Sequence, residues 1–266
     1  MTKEVQGSMA TEPGMHIIGV HTDTFRLEDV QNLVLDRTEK NIVGSYICVA
    51  NIHTLVTARL NPDFSKVVNK SWRVVSDGMP LVWLLKRKFP WAERVAGPDL
   101  TERLCHEMAD QGMPVFFYGG RARELPRLKK RLLAVYPSLK LSCEAPPELP
   151  ERPGFDQCIV DKIKKSGARV VFVGLGCPKQ EYWMHVHAPH IPAVLIGVGA
   201  AFDFIAGTKG RAPKWMQKMG LEWLYRLASE PRRLWKRYLV TNSLFVYFLL
   251  VDKIRSIISG KQKDGR

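Results

Sequence analysis

The amino-acid sequence predicts an α/β fold: a largely parallel sheet flanked by helices, followed by a helical C-terminal appendage. Three observations carry this expectation. Short apolar, β-rich runs alternate with longer helical patterns as far as residue 206. Two of the runs, VVFVG and AVLIGVG, are apolar throughout, the pattern of strands buried on both faces. Beyond Gly207 the alternation stops and a basic, aromatic-rich stretch of helical character takes over.

The elements follow in order. Residues 1–14 are polar, lack the apolar core of a signal peptide and are expected to form a flexible N-terminus. The core is expected over residues 15–206. Its strands are placed at Tyr46–Ala50, Arg73–Val75, Val115–Tyr118, Lys140–Ser142, Val170–Val173 and Ala193–Val198. Helices are placed near Glu28–Glu39, Met79–Lys88, Asp99–Gln111, Arg123–Val135, Gln157–Ser166 and Lys179–His187. The segment CEAPPELPERPG is Pro-rich and reads as a surface loop, because the alternation resumes after it. The appendage covers residues 207–266. From Lys209 to Arg237 only Glu222 and Glu230 oppose nine basic residues, and Trp215, Trp223, Tyr225, Trp235 and Tyr238 are interleaved. The apolar run LFVYFLLV follows, too short for the roughly 20 residues of a spanning helix but long enough to lie in a membrane interface. A helix packed on the core is the competing reading of the same stretch.

Composition narrows the function. The hydrophobic fraction of 45% and charged fraction of 25% are those of a packed globular chain, not of a disordered one. The formal net charge of +14 favours an anionic partner: a phosphorylated substrate, an acidic membrane face or nucleic acid. Cys48, Cys105, Cys143, Cys158 and Cys177 are odd in number and widely spaced, so free thiols are expected rather than a disulfide framework or structural zinc.

Three strand ends run into glycine turns: Gly119 and Gly120, Gly174 and Gly176, Gly197 and Gly199. On one edge of a parallel sheet, such turns let backbone N–H groups and helix N-termini approach a phosphate. None matches the dinucleotide or P-loop fingerprint, which disfavours a nicotinamide oxidoreductase and a P-loop NTPase. Asp77 in SDGMP follows a strand directly; it is either a general base or a helix N-cap. GCPKQEYW puts Lys179, Gln180 and Glu181 in a first helical turn, where the dipole disfavours a lysine unless function requires it. In ERVAGPDL, Arg94 is suited to gripping phosphate, and Asp99 to capping a helix. His185, His187 and His190 are interrupted by Pro189 and read as a helix end, not a metal site. No D-x-D occurs, so a departing diphosphate would depend on cationic side chains and helix N-termini.

With these residues in place, the sequence resembles the WecG/TagA/CpsF family of bacterial glycosyltransferases from about His16 to about Asn242. The resemblance rests on the order of seven blocks: VANIHTLVTA, VSDGMPLVW, ERVAGPDL, PVFFYGG, FVGLGCPKQE, GVGAAFDFIAG and RAPKWMQKMGLEWLYRLASEPRRLWKRYL. It implies a Rossmann-like core and a C-terminal appendage that helps close the active site and contacts the membrane. It also implies inverting transfer from a UDP-sugar, such as UDP-N-acetylmannosamine, to a polyprenyl-diphosphate-linked saccharide at the cytoplasmic membrane face. Neither metal nor cofactor is implied. Carried over by position, the base is Asp77, with Asn51 and Gln180 completing the expected catalytic set; Val49 stands where several members carry Thr. The expected substrate-binding set is Arg94, Gly97, Lys179, Glu181, Arg211, Arg226, Arg233, Arg237 and the six turn glycines. A homo-oligomer remains one option, and nucleic acid is not called for. The rival reading is a non-catalytic basic α/β module on anionic lipid or RNA, against which the glycine edge and Asp77 both argue.

Overall fold

The computed structural model describes residues 13–263, so most of the expected flexible segment 1–14 lies outside the described residues. The strands are β1 (Gly14–Ile17), β2 (Val20–Asp23), β3 (Tyr46–Ala50), β4 (Arg73–Ser76), β5 (Val115–Gly119), β6 (Leu141–Glu144), β7 (Val170–Gly174) and β8 (Val194–Gly197). The core helices are α1 (Leu27–Glu39), α2 (Ile52–Leu60), α3 (Pro62–Asn69), α4 (Met79–Lys86), α5 (Gly97–Asp110), α6 (Leu125–Val135), α7 (Gln157–Ser166), α8 (Lys179–His187) and α9 (Ala201–Ile205). The appendage holds α10 (Lys214–Lys218), α11 (Glu222–Ser229) and α12 (Pro231–Lys263).

Six strands form one parallel sheet in the order β4-β3-β8-β7-β5-β6. Each expected strand and helix is found within a few residues of its place. Sheet residues alternate between two apolar layers, as a period of two requires. In β7, Val171 and Val173 enter the layer shared with α2, α3, α4, α7 and α8, whereas Val170 and Phe172 enter the layer shared with α1, α5, α6 and α9. Both faces are covered, which is why the β7 and β8 runs are apolar throughout. The parallel order brings the carboxyl ends of β3, β4, β5, β7 and β8 to one edge, where ligands bind in such sheets.

Five of these elements go beyond the expected set: β1, β2, α2, α3 and the short α9. β1 and β2 form an antiparallel hairpin tied to β4, whose Val74 N–H donates to Asp23 Oδ2 at 2.8 Å. Helices α2 and α3 follow β3 without an intervening loop, sharing Asn61 as the C-cap of one and the N-cap of the other.

The run LFVYFLLV belongs to α12, and one of its faces packs on the core. Phe245 is buried, and Leu244, Phe248 and Leu249 lie against the layer that holds α2. Arg59 of α2 pairs with Asp252 at 2.8 Å. The opposite face carries Trp235, Leu239, Val246, Leu250 and Ile257, spaced four and seven apart and all exposed. Among the described residues no helix is long and apolar enough to cross a membrane.

Candidate active site

A cleft of about 1350 Å³ opens between the carboxyl edge of the sheet and the appendage. Single small-molecule pockets run to roughly 1,000 Å³, so this cleft has room for more than one ligand. Its floor is formed by the ends of β3, β4, β7 and β8, and one wall by Glu222, Trp223, Arg226, Arg233, Arg237 and Tyr238 from α11 and α12.

Asn51 ends β3 and caps α2. Its Oδ1 accepts from the His53 and Thr54 backbone N–H groups at 3.0 and 3.3 Å, which leaves its amide nitrogen for the cleft it lines. Asp77 ends β4, and its backbone N–H donates to Ala50 at 2.8 Å, fixing the loop beside Asn51. The N-cap reading of Asp77 does not hold: Gly78 is the N-cap of α4, with no side-chain cap bond. Asp77 instead pairs with Arg94, whose Nη2 lies 2.9 Å from its Oδ1. Burial alone would lower the Arg94 pKa, but Asp77 and Glu222 outweigh it and hold the guanidinium above its ordinary value.

Asp99 is not a cap either. Ala96 caps α5, and Asp99 in the first turn holds Arg211 through two bonds, Nη1 to Oδ1 at 2.5 Å and Nη2 to Oδ2 at 2.8 Å. Of the expected substrate contacts, Gly97, Gly119, Glu181 and Arg211 stand behind the cleft wall and not on it. Each has a packing reason. A Cβ on Gly97 would lie 3.0 Å from the Val198 carbonyl oxygen, and one on Gly119 would lie 2.6 Å from the Gly174 backbone. Glu181 is buried and accepts from Gln180 Nε2 at 2.9 Å; burial raises its pKa to about 7.

Gln180 lines the cleft with both ends of its amide engaged, since Oε1 accepts from the Gly199 N–H at 3.1 Å. It thereby ties the start of α8 to the turn after β8. Lys179 lines the cleft too, but its ammonium donates to the Leu149 carbonyl at 2.6 Å, pinning the Pro-rich loop over the opening. Gly120, Gly174, Gly176, Gly197 and Gly199 are on the wall. Gly176 has φ +78° and nothing within 4 Å of a Cβ position, so its backbone is open to a ligand.

The appendage arginines Arg226, Arg233 and Arg237 all reach the cleft. Arg226 lies over the Phe204 ring at 5.4 Å, Arg233 pairs with Glu230 at 2.6 Å, and Arg237 keeps a buried Nε without a hydrogen-bond partner. Among the cleft residues that the sequence reading missed are His53 and Glu222. Burial, with Arg237 nearby, pushes the His53 pKa down to about 4, so its imidazole is neutral near pH 7. His185, His187 and His190 point elsewhere: His185 meets the Tyr46 hydroxyl, His187 the Trp183 carbonyl and His190 the Phe155 ring.

A parallel sheet with glycine turns, a carboxylate and clustered arginines around one cleft gives a Rossmann-like α/β fold with its cleft at the carboxyl edge of the sheet. The model of the glycosyl transferase WecG/TagA/CpsF family matches residues 15–258. The chain belongs to that family and is a glycosyltransferase.

Proposed function

We propose that this protein is an inverting glycosyltransferase of cell-surface polysaccharide biosynthesis. It moves a sugar from a UDP-sugar, of the UDP-N-acetylmannosamine type or a related hexose, to a polyprenyl-diphosphate-linked saccharide. The observation that carries this reading is the opposition of Asp77 and Asn51, on the sheet edge, to Arg226, Arg233 and Arg237 across one cleft.

The residues divide the chemistry between them. The acceptor hydroxyl attacks the anomeric carbon while Asp77 takes its proton. The bond from that carbon to the UDP oxygen breaks on the opposite side, so the configuration inverts. The departing diphosphate gains negative charge, and the appendage arginines and the open backbone at Gly176 are placed to stabilise it. This assignment draws the required positive charge from side chains and invokes no metal. Asn51 offers its amide nitrogen to the sugar, and Gln180 holds the turn that carries Gly199.

The acceptor is lipid-linked, and the outer face of α12 suits a membrane surface. Its exposed Trp235, Leu239, Val246 and Leu250 lie near Lys236 and Lys253, a combination that favours anionic headgroups. Peripheral attachment at the cytoplasmic face follows from this reading.

Acceptor-dependent UDP release from a panel of UDP-sugars, with a short-chain lipid-diphosphate saccharide, tests the activity. Asp77→Asn is expected to lower turnover by at least about 10³-fold while UDP affinity, read by calorimetry, stays within threefold of the parent. Near-normal turnover in that variant would remove Asp77 from the role of base.

A further inference from the structure

Asp77 shares its arginine with the appendage. Arg94 presents one edge of its guanidinium to Asp77, with Nη2 at 2.9 Å from Oδ1 and Nε donating to the Asp77 carbonyl at 2.6 Å. The remaining nitrogen, Nη1, lies 2.9 Å from Glu222 Oε2. Arg94 belongs to the segment between α4 and α5, whereas Glu222 is the first residue of α11. The three side chains are 18%, 25% and 12% exposed for Arg94, Asp77 and Glu222, so water screens the cluster only in part.

We propose that Glu222 is a positioning residue for the transfer reaction: through Arg94 it orients Asp77 and keeps one of its oxygens open, and it does so only while α11 is docked. The proposal rests on the reading of Asp77 as the base.

The geometry supports it. The side-chain bonds from Arg94 fall on Oδ1 alone, and Oδ2 has no partner among the described residues, which leaves it for an acceptor hydroxyl. A guanidinium released from Glu222 is free to take both oxygens of Asp77 in a bidentate pair and so mask the base. Docking of the appendage and exposure of the base are then one event.

The neighbouring charges do not obscure this coupling. Arg211 is held by Asp99, and Arg226, Arg233 and Arg237 stand on the appendage wall. His53 on α2 stays neutral above its pKa of about 4.

The experiment compares the full-length parent, Glu222→Gln, Glu222→Asp and Asp77→Asn, with the UDP-sugar that gives acceptor-dependent UDP release in the parent. Glu222→Gln is expected to lower kcat tenfold or more and keep KM for the donor within twofold. Glu222→Asp keeps the charge and is expected to restore part of kcat. A Gln variant with parental kcat would overturn the proposal, and so would an Asp variant as impaired as the Gln one. If Glu222→Gln does not fold, Glu222→Ala takes its place with the same two readouts. Asp77→Asn separates the two readings: if it is active, the base assignment fails; if it is inactive beside a normal Glu222→Gln, the relay alone fails.

Discussion

Glu181 is a carboxylic acid enclosed by the core, where Gln180 donates to it at 2.9 Å and the Cys177 thiol also meets it. Burial raises its pKa to about 7, above the ordinary 4.5. The sign of the pH effect follows. Between these values the folded protein holds a proton that the unfolded chain has released, so stability falls as pH rises through that window. The loss is on the order of a few kcal/mol once the group ionises. Glu181→Gln keeps an acceptor for Gln180 and removes the ionisation. Its melting temperature is expected to match the parent near pH 5 and exceed it by several degrees at pH 8. A constant difference between the two proteins across that range would place the titration elsewhere. Asp77 and Glu181 thus divide two jobs between carboxylates of similar sequence prominence. Asp77 stands at the cleft beside a cation, and Glu181 lies behind it without one.

Among the elements, α12 is apolar on opposite faces, and each face makes its own prediction. Phe245→Ala opens the packed side and is expected to cost about 3 kcal/mol in denaturant unfolding. Leu250→Ser on the outer side is expected to leave stability within about 0.5 kcal/mol. It should instead weaken flotation with anionic vesicles severalfold; unchanged flotation would argue against this face as the membrane contact. The doubled pattern explains why the sequence left the run Leu244–Val251 between two readings: a helix with two apolar faces has no single stripe to read. The six sheet strands were legible because burial on both faces makes them uniformly apolar. The β1–β2 hairpin was not, because its turn places Ile18 at φ +42° where Asn or Asp would be the signal. Nor were α2 and α3, although Asn51 caps the first and Asn61 with Pro62 opens the second; Asn51 was read there for its chemistry. The same limit applies at the site. Asp77, Arg94 and the glycine edge stood out in the sequence, but Glu222 lies 145 positions from Asp77 and only the fold brings it to Arg94. Lys179 stood out as a cation at a helix start, and its ammonium donates to the Leu149 carbonyl.

For the molecule as a whole, the net charge of +14 is concentrated where the anionic ligands are expected. The appendage supplies three arginines to the cleft and the basic flanks of the outer face of α12. Removing the chain after Gly207 is therefore expected to abolish transfer and lower vesicle binding together, as measured by UDP release and flotation on one preparation. Vesicle binding that survives the truncation would put the membrane contact on the core. The sheet edge alone keeps its glycine turns, so residual UDP binding by the truncated chain would show how much of the donor site the core holds by itself.

Helix α2 begins at the cap residue Asn51 and carries Arg59 near its other end, bound to Asp252 on α12. It has nine residues, and at 1.5 Å per residue it is a rod about 13 Å long. A rod has no slack. On the proposed reading, a lipid surface that tilts α12 passes the displacement to Asn51 through this stiff member, so the posture of α12 and the position of Asn51 in the cleft become mechanically one variable.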